Sequence, residues 1–231
     1  MGTVILDGEP PVTVTLRRSA QARRLSLRVS RLDGRVTLSM PRFASERDAR
    51  AFLSQKEPWI RSHLSRRAPV QVIAVGARLP FRGRVVEIVS GKGRAARLDG
   101  AQLVVSGDGA MVVARVAAFL KLHAREELRA ASDKYAALMG VSYARLTLRD
   151  TRSRWGSCTS SGNLMYSWRL VMAPPEVLNY VAAHEVAHLL EMNHSSRYWA
   201  HVARVCPDYA DHRAWLHREG ESLHAWQFDA D

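Results

Sequence analysis

The stretch NYVAAHEVAHLLEMNHSSRYW, residues 179–199, sets three histidines and two glutamates in a run that otherwise has the apolar density of a buried helix. Pro174 and Pro175 stand in front of it, where a proline lacks only an amide that the first helical turn leaves unpaired anyway. The pattern predicts a helix from Pro175 to about Leu190, lying in the protein interior. Ionisable groups enter an interior only when a hydrogen bond, a partner charge or a metal ion offsets their desolvation. The chain therefore has to fold around this helix and has to place something beside its histidines.

The spacing names that something. His184-Glu185-Val186-Ala187-His188 is HExxH, and residues four apart share one helix face, so two imidazole nitrogens converge on a single cation. Glu185 is about 100° further round the helix, close enough to hold a water beside that cation without ligating it. His194 follows His188 by six positions and offers a third nitrogen. Three histidines with an open fourth position are the ligand set of a catalytic Zn2+ site rather than a structural one. Zn2+ is the expected cofactor, with Glu185 the catalytic residue. Met192-Asn193 is expected to make the turn that returns His194, Asn193 being the residue that best accepts a left-handed conformation. Glu191, seven residues after His184, returns to the same face as a rival ligand or a hydrogen-bonding neighbour. A metzincin would carry glycine at the position of Glu191 and a later methionine turn, and no methionine follows Met192. Ser195 or Ser196 then caps a helix over SRYWAHVARVC that Pro207 ends and that braces the loop bearing His194. Tyr198 and His201 on it are candidates to stabilise a developing oxyanion.

Upstream, PVTVTLRRSAQARRLSLRVSRLDGRVTLSMP alternates apolar and polar residues, which predicts antiparallel strands with a turn at Asp33-Gly34. SERDARAFLSQKEPWIRSHLSRR reads as a helical pair, with Pro58 as a kink or new start. RRAPVQ resembles a linker, and short glycine-punctuated strands follow. From Gly109 a long amphipathic helix runs to a C-cap at Gly140, with Val112, Val116, Phe119, Leu120, His123, Leu128 and Leu138 facing inward. Two alternating runs, Leu146–Arg149 and Leu164–Val171, predict neighbouring strands just before the histidine helix. The expected division is a basic, strand-rich region over 1–108 and a second domain over 109–231.

Charge is distributed unevenly along this plan. Residues 1–100 hold 20 Lys and Arg against 8 Asp and Glu, whereas residues 101–231 hold 14 of each. All of the +12 excess is in the first part, which is compatible with a nucleic-acid partner. Two cysteines, Cys158 and Cys206, have no CxxC spacing and cannot build a disulfide framework. No apolar run is long enough to span a membrane and the amino terminus has no signal-peptide pattern, so no membrane partner and a cytoplasmic location are expected.

RWGSC at 154–158, WRLVMAPPEVLNYVAAHEVAHLLEMNHSSRYW at 168–199 and the basic amino-terminal half together resemble the YgjP-type metallopeptidases, a group related to the SprT, WLM and Spartan zinc proteases. The resemblance covers essentially the whole chain. It implies an α+β, zincin-like domain of the minigluzincin kind, with a small mixed or antiparallel sheet against the HExxH helix. It also implies His184, His188 and His194 as zinc ligands and Glu185 as general base. Two reactions follow. As a peptidase on peptide or protein substrates, the strand LMYSWRLV would pair with an extended substrate. As a hydrolase of nucleoside triphosphates such as UTP, an alternative the resemblance also implies, Arg152, Arg154 and Arg169 would neutralise phosphoryl charge. A third possibility has the basic region bring a protease to DNA-bound protein.

Overall fold

The computed structural model describes residues 2–30, 34–65 and 69–228. The chain forms two compact units, Met1–Pro69 and Val70–Asp231. Each has its own apolar cluster.

In the first unit, strands β1 (Gly2–Leu6), β2 (Val12–Ser19), β3 (Ser26–Val29) and β4 (Val36–Pro41) make one sheet in the order β1-β2-β4-β3, and helix α1 spans Glu46–Ser65. Alternation does what a period of two requires: Val12, Val14, Leu16, Val36, Leu38 and Met40 are buried on one face, and Thr13, Thr15, Arg17, Thr37 and Ser39 take the other. α1 adds Ala49, Leu53 and Ile60 to that buried face. Its start is fixed reciprocally, Asp48 N–H donating to Ser45 Oγ and Ser45 N–H to Asp48 Oδ2, each at 3.1 Å. Two expectations change. β2 and β4 run parallel, not antiparallel, with β3 on the outer edge of β4; alternation specifies the face a strand buries but not its neighbour's direction. The helical pair is one helix of 20 residues with Pro58 inside it, because fully buried Leu53 and Ile60 on either side of the proline hold a single course. Asp33 of the expected turn and residues 66–68 of the expected linker lie outside the described residues.

The second unit comprises β5 (Gln71–Val72), β6 (Arg78–Phe81), β7 (Arg84–Ser90), β8 (Arg97–Asp99), β9 (Gln102–Val105), α2 (Gly109–Met139), β10 (Arg145–Arg149), β11 (Gly156–Cys158), β12 (Asn163–Ser167), a 3-10 turn (Trp168–Met172), α3 (Pro175–Ala187), α4 (Ser196–Val205), α5 (Tyr209–His224) and β13 (Trp226–Gln227). Its sheets are β6-β7-β9-β8, β10-β12-β11 and the short pair β13-β5. α2 is the spine, burying Val112, Val116, Phe119, Leu120 and Leu128 and ending at left-handed Gly140 (φ 70°). Leu138, expected inside, is exposed, and Tyr135 and Met139 take the inward positions of that turn. Leu79, Phe81, Ile88 and Leu103 from β6, β7 and β9 share one cluster with α2 and α3. The division therefore falls after Pro69, and the strands assigned by sequence to the first region belong to the second unit.

Two local devices aim α3. Arg82 and Gly83 (φ 51° and 71°) make the two-residue turn between β6 and β7, and both left-handed conformations are what such a hairpin needs. At that tip Arg82 N–H donates to Val171 O at 2.8 Å, and a Cβ on Gly83 would lie 3.1 Å from Pro174 Cα. The hairpin thus seats directly against the start of α3. The strand expected to continue to Val171 instead stops at Ser167. Trp168 to Met172 are all buried, a condition that a strand with two faces at this position does not meet and a 3-10 turn does. Arg169 in that turn donates to both carboxylate oxygens of Asp150 at 2.7 and 2.9 Å and to the carbonyls of Leu223 and Trp226, each at 2.9 Å. It ties the end of α5 to the segment after β10. No described helix is long and apolar enough to cross a membrane.

Removing one partner of such a buried cluster leaves the others desolvated and unpaired. Arg169→Met is expected to lower unfolding free energy by about 3 kcal/mol, measured as a fall in the urea midpoint. An unchanged midpoint would contradict the clamp.

Candidate functional site

α3 is apolar on nearly every side, with Val177, Leu178, Val181, Ala182, Ala183, Val186 and Ala187 buried, so its last turn carries His184 and Glu185 deep into the unit. His188 is the C-cap. Beyond it the chain tightens through Leu189 N–H to Val186 O and Leu190 N–H to Ala187 O, both 3.0 Å, then leaves the helix axis. Asn193 does not adopt the expected left-handed conformation: Arg82 is the one non-glycine with positive φ among the described residues. The helix end is closed by 3-10-type bonds, which need no left-handed residue. Ser195 Oγ then accepts from Tyr198 N–H at 3.3 Å and starts α4, fixing His194 one residue before the cap.

The result is a convergence of three rings. One nitrogen from each of His184, His188 and His194 lies within 4.8 Å of the others. Nε2 of His184 and Nε2 of His194 are 3.1 Å apart, near the roughly 3.4 Å that two ligand nitrogens about 2.1 Å from a tetrahedral zinc would show. His188 Nδ1 faces Glu191 O at 3.1 Å; donation there leaves Nε2 as the lone-pair nitrogen, the usual arrangement behind a metal-binding histidine. Burial, followed by the neighbouring His188 and His194, pushes the His184 pKa down to about 3 and keeps the ring neutral. Burial also lowers that of His188. Neutral imidazoles with convergent lone pairs fit a divalent cation. Glu191 is not in this group, since its carboxylate pairs with Arg197 at 2.8 Å, and the two cysteines are free and outside it.

Glu185 is 5% exposed. Its neighbour is the backbone of β11: a Cβ at Gly156 would stand 2.5 Å from Glu185 Oε1 and 2.6 Å from Cγ. RWGSC has glycine here because no larger residue leaves room for the carboxylate. Desolvation raises the Glu185 carboxyl to about 8, opposed by the positive charge of Arg154. Trp155 stacks on His224 at 4.8 Å and closes against Gly220 of α5, which holds the turn before β11 in place.

The other residues singled out by sequence divide sharply. Arg154 lines the cleft of about 270 Å³ that opens on His184 and Glu185. Arg169 is buried in the clamp described above. Tyr198 is fully buried and its hydroxyl donates to His184 O at 2.8 Å, so it braces the helix and has no proton to offer an oxyanion. His201 is not among the residues lining the cleft. Sequence reasoning missed Tyr180, Arg213 and His217, which do line it. Tyr180 was findable, being one helical turn before His184. Arg213 and His217 are likewise four apart, on α5, but no motif marks them. Arg213 sits over the Trp199 ring at 5.1 Å, and Trp199 stacks on Tyr209 at 5.2 Å.

Comparison with known families decides the assignment. The pattern of the YgjP-like metallopeptidase domain matches residues 23–219. The chain belongs to the YgjP-like metallopeptidase family. No curated protein matches it. Among solved structures it is similar to the metallopeptidase zymogen abylysin of Pyrococcus abyssi, at 18% identity and a TM-score of 0.35, over 39% of this chain and 93% of that one. The YgjP-like domain spans both units, and the histidine group falls in its second half.

His184 and Glu185 make opposite contributions to the stability of the metal-free protein. His184 is neutral when folded and protonated when unfolded between about pH 3 and 6.5, so stability rises with pH there. Glu185 is protonated when folded and ionised when unfolded between about 4.5 and 8, so stability falls there. Above 6.5 only the second remains. Chelator-treated protein is expected to lose on the order of 2 kcal/mol between pH 6.5 and 8, and Glu185→Gln to abolish that loss in urea titrations. A wild-type profile no steeper than the variant's would contradict the burial argument.

Proposed function

We propose that the chain is a zinc-dependent peptidase in which His184, His188 and His194 hold the metal and Glu185 moves the proton. The observation that carries this reading is the seating of the Glu185 carboxylate against Gly156, beside three convergent imidazoles. Zinc bound there supplies Lewis acidity, polarising a substrate carbonyl and acidifying water at the site. With a divalent charge beside it, the Glu185 carboxyl ionises at lower pH than in the metal-free protein, which makes it a base near neutrality. It accepts a proton from the attacking water and returns it to the leaving amine. The narrow space at Gly156 keeps the carboxylate aimed while it does so.

Substrate pairing moves to a different strand from the one expected. β12 is the middle strand of its sheet, hydrogen-bonded to β10 on one side and β11 on the other, so it has no edge to offer. β11 is an edge strand and is the one against Glu185. An extended peptide added along β11 would lay its backbone beside the site through main-chain hydrogen bonds. Arg154 and Arg213, whose guanidinium groups make no ion pair with the described residues, give the cleft positive charge for the developing oxyanion or a substrate carboxylate.

A phosphoryl-transfer reading keeps one of its three arginines in the cleft. Of Arg152, Arg154 and Arg169, only Arg154 lines the cleft, and the Arg169 guanidinium is committed to Asp150 and two carbonyls.

Two variants test the reading. Glu185→Gln should keep one zinc per chain by elemental analysis while peptide products, followed by mass spectrometry on an unfolded polypeptide, fall by at least about 100-fold. Gly156→Ala should also keep its zinc and lose activity, because only the aim of Glu185 changes. Products from Glu185→Gln at the wild-type rate would refute the proton role, and nucleotide products with intact polypeptide would refute the peptidase.

A further inference from the structure

We infer that one end of the first unit's sheet is a binding site for single-stranded nucleic acid, with Phe43 stacking on a base and the surrounding arginines holding phosphates. The inference does not rest on the peptidase reading.

Residues 1–69 hold 14 Lys and Arg against 6 Asp and Glu, a net +8 of the chain's +12 in under a third of its length. The topology concentrates that charge. Because β2 and β4 are parallel, in the register Arg17↔Ser39, Arg18↔Met40 and Ser19↔Pro41, their carboxyl ends meet at one end of the sheet. Antiparallel β3 begins there, Ser26 facing Ser39. Arg17, Arg18, Arg23, Arg24 and Arg42 are thereby brought together. Arg28 pairs with Thr37 and so shares the outer face with Arg17. Most of the rest of that face is hydroxyls, including Thr15, Thr37, Ser39 and Ser26, with exposed Ile5 at the β1 edge, and the four strands contain no acidic residue.

The described acidic residues of the unit are elsewhere or engaged. Asp7 and Glu9 are at the opposite end, between β1 and β2. Glu46 pairs with Arg50 at 3.0 Å, Glu57 with Arg61 at 2.8 Å, and Asp48 caps α1. The guanidinium groups of Arg17, Arg23, Arg24, Arg28 and Arg42 make no ion pair or hydrogen bond with the described residues.

A codon bias toward arginine would account for scattered charge but not for Phe43. Phe43 is 85% exposed, the highest value among the described large apolar residues. Nor is it loose: Arg18 Nη1 donates to Arg42 O and to Ala44 O, each at 2.8 Å, gripping the chain on both sides of the phenyl ring. A fixed, exposed aromatic flanked by unpaired arginines, on a sheet that offers hydroxyls, is the combination that binds single strands: bases stack on the ring and phosphates take the guanidinium donors. An acidic peptide would use the arginines and leave the ring without a role.

The test is fluorescence anisotropy of a labelled oligodeoxythymidine with the full chain across a salt series. Affinity should fall with salt, by a log-log slope of about 0.7 for each phosphate neutralised. Arg17→Thr with Arg28→Thr should reduce that slope by about 1.4. Phe43→Ala should weaken binding at least about five-fold at every salt concentration and leave the slope alone, the signature of a lost stack. All these positions are outside the unit's core. The inference is overturned if the wild type fails to bind at low salt, or if Phe43→Ala binds as the wild type does. It is equally overturned if poly-glutamate or anionic phospholipid vesicles bind and the oligonucleotide does not.

Discussion

Everything around the site depends on α3 being buried in the second unit while carrying imidazoles. A helix with Val177, Leu178, Val181 and Val186 packed inside has no water to spare for His184, so desolvation keeps that ring neutral and its lone pair available. The same burial raises the carboxyl of Glu185 and makes it a poor base alone, so the proposed proton role needs the proposed cation beside it. Three contacts then fix where the helix points: the β6–β7 turn against Pro174, the Tyr198 hydroxyl on His184 O, and the Glu191 carbonyl facing His188. None of them is a candidate ligand, and each bears on where the candidate ligands sit.

The close approach of β11 is the second constraint. Glycine at 156 lets a strand backbone pass within contact of the Glu185 side chain, which aims the carboxylate and also puts a free sheet edge beside it. One missing Cβ would therefore serve both the proposed chemistry and the surface an extended substrate would use.

Much of this was legible in the amino-acid order. Helical periodicity located the long α2 and its glycine cap, and HExxH with a third histidine located the convergent nitrogens, because an i, i+4 relation is a fact of helix geometry whatever the fold. Pairing was not legible. Whether β2 runs with or against β4, and that β12 rather than β11 is central, depends on contacts between distant segments that alternation does not encode. Arg169 shows the same limit: in sequence it is a cation near the site, and only the fold reveals that Asp150 and the end of α5 consume it. Arg213 and His217 reach the cleft from a helix whose sequence carries no motif at all. The unit boundary is not legible either, because β6, β7 and β9 resemble β1 to β4 in texture yet share their apolar cluster with α2.

The central claim is that three imidazoles, and neither cysteine nor Glu191, hold zinc beside Glu185. X-ray absorption at the zinc edge of the loaded protein reads this directly. The account predicts a first shell of three imidazole nitrogens at about 2.0–2.1 Å with a light fourth ligand and no sulfur. Sulfur scattering at about 2.3 Å, or a spectrum unchanged by His194→Ala, would contradict it.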